Sequence, residues 1–222
     1  MSEQTPPVDF PPTGKTRIKR KPNRAHYDRA TVHAILDAGL LCHVGYVIDG
    51  QPYVTPTAYW RAGDHVYWHG SSASRMLETL DAGVPACLTV AHLDGIVFAR
   101  SGFHHSLRYR SVMMFGTAHK VEDDRKAQVL EDFMERIAPG RWAELRPPTE
   151  QEMKGTAVFF MEIEEAVAKV RDGGCLDKES DMQAPVWAGV LPFATVAGPA
   201  EPDAAILPGI PVPGYVKDFR LG

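Results

Sequence analysis

The sequence predicts a mainly β fold, an antiparallel barrel with a few flanking helices, and three observations predict it. Residues 40–48 and 53–60 are rich in aromatic and β-branched side chains and are joined by Asp49-Gly50, a dipeptide suited to tight hairpin turns. Gly63-Asp64 makes a second turn into residues 66–70, so three antiparallel strands follow one another directly. Residues 86–91, 96–99 and 108–121 add further strand patterns, bringing the count to at least six, and residues 157–170 close the sheet.

Ahead of the strands, residues 1–14 are rich in proline and polar groups, and residues 15–24 gather six Lys or Arg among few apolar side chains. An arm of this composition, residues 1–24, is expected to be extended and to carry little core of its own. Its charge suits solvent, a phosphate or an acidic surface. Tyr27 and Asp28 lead into a short helix with Val32, Ile35 and Leu36 on one face and Gly39 as its stop. Asp94-Gly95 interrupts the strand pattern of residues 86–99, and Gly116 marks a bulge or a close backbone approach. Residues 123–137 place Val129, Leu130, Phe133, Met134 and Ile137 on one helical stripe, with Asp123 or Asp124 at its start. Pro147-Pro148-Thr149 opens a short acidic turn of helix. The barrel domain is therefore expected to span residues 25–172. Residues 173–222 read as an extended tail that lies on the barrel's own wall or on a partner subunit, with the partner preferred for the Trp187 stretch.

Composition bounds the function. With 222 residues, 44% hydrophobic and 23% charged, the chain has enough apolar mass for one main core. A formal net charge of -4 gives no reason to expect nucleic acid or an anionic membrane as partner. No apolar run is long enough to span a bilayer. Cys42, Cys87 and Cys175 share no close spacing, which fits neither a disulfide framework nor a zinc cluster and points to a reducing cytoplasm. His65 and His69 lie four apart on a strand, roughly 13 Å at strand rise, so no metal pair is expected there. His104-His105 reads as a loop pair, and no Ser/His/Asp or Cys/His set stands at catalytic spacing.

The chain is organised around residues 66–80, VYWHGSSASRMLETL. A strand turns through Gly70-Ser71-Ser72 into a helical period at Met76, Leu77 and Leu80. Small hydroxyl residues and Arg75 at a helix start form either a phosphate seat or a plain cap with a solvated charge.

Three blocks carry a family likeness: Val54-Thr55-Pro56-Thr57 on the second strand, Val66-Tyr67-Trp68-His69-Gly70 running into Ser74-Arg75, and Tyr109-Arg110-Ser111-Val112 followed by Phe115-Gly116. Over residues 17–171 the chain resembles the pyridoxamine 5'-phosphate oxidase-like flavin-binding proteins, closest to their nitroimidazole-resistance branch. The resemblance implies a six-stranded split barrel that dimerises and holds FMN in clefts between subunits. It implies cofactor contacts at Thr55, Pro56, Thr57, His69, Gly70, Ser71, Ser72, Ser74, Arg75, Met76, Arg110, Ser111 and Trp187. In that branch the position matching His69 is a histidine near the active cleft, which makes His69 the candidate catalytic residue. Met76 stands where the oxidase itself has Lys, and its substrate signature is absent. The implied function is an FMN-dependent oxidoreductase acting on a small molecule; the alternative is a flavin-binding dimer without turnover. Deazaflavin and haem remain open as cofactors.

Overall fold

The computed structural model describes residues 9–221, and its architecture is a curled antiparallel sheet, a split barrel, with a few helices against it. The strands among the described residues are β1 (Ala25–His26), β2 (Leu41–Ile48), β3 (Gln51–Ala62), β4 (His65–Ser71), β5 (Pro85–Phe98), β6 (Ser106–Thr117), β7 (His119–Lys120), β8 (Thr156–Glu162), β9 (Glu165–Arg171) and β10 (Gly189–Pro192). Nine of them follow one path, β1-β9-β6-β5-β2-β3-β4-β8-β7, and β10 pairs with β5. The helices are α1 (Arg29–Asp37), α2 (Arg75–Asp81), α3 (Asp123–Ile137), α4 (Glu150–Gly155) and α5 (Gly214–Lys217).

Local chemistry explains most of these boundaries. Asp49 and Gly50 both take positive φ, 49° and 79°, which sets the right-handed twist a two-residue hairpin needs. Asp28 caps α1 by accepting a hydrogen bond from the Thr31 N–H at 2.7 Å. Thr149 and Glu152 form a reciprocal capping box at α4. Along β2, Cys42, Val44 and Tyr46 are buried while Leu41, His43 and Val47 face outward, as strand alternation requires.

The core fills the barrel with Val44, Trp68, Leu88, Met114 and Phe159, and α1 seats Val32, Ile35 and Leu36 against it. Full burial of each large side chain contributes roughly 1.5–3 kcal/mol. A second cluster of Trp60, Val121, Val129 and Val158 lies under α3.

The structure departs from the sequence reading in three places, and at Gly116 it selects one of the two expected alternatives. Ten strands stand where six were implied: residues 157–170 are two strands, β8 paired with β4 and β9 with β6 with Ile163-Glu164 turning between them, and the short β1, β7 and β10 add three more. Asp94-Gly95 does not end a strand. β5 runs through it with a register shift at Leu93/Gly95, and a Cβ on Gly95 would stand 2.6 Å from the Leu191 carbonyl oxygen of β10. Gly116 keeps regular pairing but allows close approach, since a Cβ there would stand 3.2 Å from Met161 Cγ. The arm carries core after all: Phe10 and Thr16 are buried, and Thr13 and Lys15 bond to Glu165. Residues 1–8 of that arm fall outside the described residues.

The tail is fastened to its own barrel. Arg100 binds Asp177, whose side chain is 1% exposed, through its backbone N–H (2.8 Å) and Nη1 (2.9 Å). β10 then adds to β5, and the Phe193 N–H donates to the Asp94 carbonyl. Residues 194–211 are exposed. Beyond them Arg141 Nη1 donates to the Tyr215 hydroxyl (2.7 Å), which donates to Glu144 Oε2 (2.9 Å).

Candidate functional site

Strand alternation on β4 sends Val66 and Trp68 into the core and His65, Tyr67 and His69 to the other face. The chain then turns. The Ser72 N–H donates to the Gly155 carbonyl (2.9 Å), the Ser74 N–H to the Ser71 carbonyl (2.9 Å), and the Ala73 N–H to Ser71 Oγ (3.3 Å). These donors are therefore committed. Ser74 occupies the N-cap of α2, yet its hydroxyl makes no capping bond and stays available.

Arg75 is exposed, with its guanidinium 4.5 Å above the Tyr53 ring. Tyr53 stacks on Tyr46 at 5.7 Å, and the Tyr46 hydroxyl lies 3.1 Å from Thr55 Oγ1. Two tyrosines that the sequence reading did not single out thus join Thr55 to the Ser74-Arg75 turn. The signal was present only as strand alternation, which brings Tyr53 opposite Tyr46 in the hairpin register.

The remaining expected contacts are spread out. Pro56 is exposed on the outer face of β3, whereas Thr57 pairs with Cys42 on the inner one. Ser72 turns toward Lys126 and Lys154 in a cavity of about 340 Å³. Gly70 lets the strand approach α2, where a Cβ would stand 3.3 Å from Leu77 Cδ1. Met76 is 5% exposed and belongs to the core. Helical rotation carries it away from the face that Arg75 occupies. Trp187 is 69% exposed, beside Phe98 at 5.9 Å on the outer wall. Arg110 is held by Asp94 through Nε (3.0 Å) and Nη2 (3.1 Å). Ser111 lies across from Ala91, four residues along β6 from Phe115, whose partner Cys87 borders the Gly45–Tyr46 end of β2. That is roughly 13 Å along the sheet, so one chain does not bring Arg110 and Ser111 to the Arg75 turn.

His69 is set between Trp60 (5.9 Å) and Phe133 (5.3 Å). Burial holds its imidazole below the usual pKa of 6.5, so it is neutral at neutral pH. Its Nδ1 is sealed in without a hydrogen-bond partner, and among the described residues Nε2 makes no hydrogen bond either. A neutral imidazole with uncommitted nitrogens can take a proton or ligate a metal. On the same face of β4, His65, Tyr67, His119 and Phe160 border a cavity of about 620 Å³. Cys42 and Cys87 are inert by comparison: burial pushes the Cys42 thiol up to about 12 and raises that of Cys87 as well.

A curled antiparallel barrel with a hydroxyl- and arginine-bearing turn at its β4–α2 junction defines a split-barrel protein. The chain belongs to the pyridoxamine 5'-phosphate oxidase family, whose model matches residues 28–170. Among solved structures it is similar to the flavocytochrome Anf3 of Azotobacter vinelandii, with 46% identity, 96% of this chain and 100% of that one covered, and a TM-score of 0.91. It is also similar to the FAD and heme binding protein of Mycobacterium smegmatis, with 36% identity, 87% and 96% coverage, and a TM-score of 0.84. A 5-nitroimidazole antibiotic resistance protein of Bacteroides thetaiotaomicron shares the fold, with 20% identity, 66% and 86% coverage, and a TM-score of 0.55. No curated protein matches the chain. Among the described residues no helix is long and apolar enough to cross a membrane.

Proposed function

We propose that this protein is a flavin- and haem-binding redox protein that works as a homodimer on a small-molecule substrate. The observation that carries the reading is its 46% identity, over 96% of its length, with a flavocytochrome. A flavin and a haem held in one protein couple two-electron to one-electron chemistry.

The chain's own residues offer a candidate for each group. The free Ser74 hydroxyl and the Arg75 guanidinium, braced on Tyr53, suit a flavin phosphate. FMN, the flavin implied by the family resemblance, and FAD both offer a phosphate to that turn. FAD is the flavin proposed, because a relative at 36% identity is described as binding it. His69, neutral and with unpaired ring nitrogens between two aromatic rings, is the proposed haem-iron ligand. Dimerisation is supported by the outer sheet face, where Leu41, Val47, Val54, Leu93 and Leu107 are all exposed. It would also supply Arg110 and Ser111 to a neighbouring cleft.

The test is the absorption spectrum of the purified protein, with bound groups released by denaturation and weighed. Flavin bands, a Soret band and the mass of FAD are expected. The mass of FMN would correct the flavin, and a colourless protein that ignores added flavin and haem would overturn the proposal. A dimer without turnover is the second reading, favoured by the absence of any Lys or Arg in residues 53–60. Steady NADH or NADPH oxidation by the loaded protein would exclude it.

A further inference from the structure

The basic arm ends where three guanidinium groups gather. Arg24 closes a single turn of 3-10 helix, Pro22–Arg24, and the next residue, Ala25, pairs with Lys169 of β9. Two residues further along, β9 ends in Arg171, which is 5% exposed. Arg171 Nη1 donates to the Leu107 carbonyl (3.0 Å) and weakly to that of Gly173 (3.5 Å), while Nη2 reaches the Gly174 carbonyl (3.3 Å). Arg108 comes in from β6, and its Nε donates to the Gly173 carbonyl at 3.3 Å.

None of these three cations has a carboxylate partner among the described residues. Burial, and the positive charge of Arg24 and Arg108, pull Arg171 below the usual guanidinium range. Its carbonyl contacts, one at 3.0 Å and two at 3.3–3.5 Å, occupy its N–H groups but bring no opposite charge to offset the burial of its own. An anion would complete the arrangement. A cavity of about 380 Å³ opens beside Arg171, with Arg24, Asn23, His26 and the backbone of Gly173 and Gly174 in its wall and exposed Asp172 at its rim.

The shape of the site narrows the ligand. Guanidinium forks match phosphate oxygens in pairs, and two of them in the wall with a third positive charge behind suit an anion of two or more charges. The cavity, about 380 Å³ and open on one side, has room for more than one phosphate group. We propose that this pocket binds a diphosphate-bearing ligand, with Arg24 and Arg171 in its wall as the anion clamp and Arg108, bonded to the far side of the Gly173 backbone, adding positive charge from behind. The site does not belong to the Arg75 turn of the same chain, because it lies at the opposite end of the sheet. Its diphosphate comes either from a free nucleotide or from a dinucleotide flavin held chiefly by a second copy.

Inorganic pyrophosphate titrated into the full chain by calorimetry at low salt tests this, after any compound carried through purification has been identified by mass. Binding by the wild type is expected, at least tenfold weaker in Arg24→Gln and in Arg108→Gln, and tighter in Asp172→Asn, which removes the opposing charge. Melting curves of the variants confirm that they fold. If Arg24→Gln also loses dinucleotide flavin, the diphosphate is the flavin's own; if flavin content is unchanged, the ligand is a free nucleotide. The pyrophosphate measurement stands even for a colourless protein. The proposal is overturned if the wild type neither retains a diphosphate compound nor binds pyrophosphate, or if both arginine variants match it.

Discussion

His69 and Arg75 divide the proposed cofactor work. Replacing His69 with Ala should abolish the Soret band while leaving flavin content within about twofold; His65→Ala and His119→Ala, on the same face of the sheet, should keep it. Arg75→Ala removes a guanidinium suited to bidentate phosphate contact, so flavin affinity should fall about tenfold or more, read by fluorescence titration. A pH effect follows from burial. His33 and His69 both have folded-state pKa values held below 6.5, chiefly by desolvation. As pH falls the unfolded chain takes up these protons first. Stability is therefore complete above 6.5 and declines as pH falls from there through the folded-state values. Thermal melts of apoprotein between neutral pH and about pH 5 should show this decline, and His69→Gln should show less of it. The place of Ser74 and Arg75 at the start of α2 was readable because a strand pattern gives way there to a helical period. Met76 was misplaced because adjacency in sequence says nothing about helical rotation, which carries it into the core. Tyr46 and Tyr53 were legible as strand residues only, since their stacking depends on hairpin register.

Elements with strong local chemistry were legible. Residues 29–37 and 123–137 fold as the helices that their apolar stripes and acidic starts require, and Asp49-Gly50 makes the expected hairpin. Removing the α1 cap with Asp28→Ala should cost about 1 kcal/mol in a denaturant melt. What the sequence hid were pairings made over distance. The break at Asp94-Gly95 looks like a turn, but the glycine is there so that β10 can approach. Gly95→Ala would force a Cβ against the Leu191 carbonyl, so β10 should lift away and the tail should be cleaved faster in limited proteolysis. An unchanged digestion rate would sink that account. The arm misled in the same way. Its polar and basic composition concealed Phe10, which is buried beneath Arg29.

At the scale of the molecule, antiparallel alternation and turn spacing disclosed a barrel, but nothing in a single strand states which face meets another chain. The dimer face proposed above is the one that carries exposed apolar side chains on β2, β3, β5 and β6. Val54 is 66% exposed on β3 of this surface, and Val54→Lys should convert the proposed dimer to monomers in light scattering and lower flavin retention with it. The tail adds a different kind of economy. Between the Asp177 and β10 fastenings at one end and the Tyr215 contacts at the other, residues 194–211 run exposed, like a belt buckled twice. A protease that nicks the belt therefore frees nothing at once. Both pieces stay attached through separate buckles, so cleavage would be visible on a denaturing gel while the native molecule kept its mass.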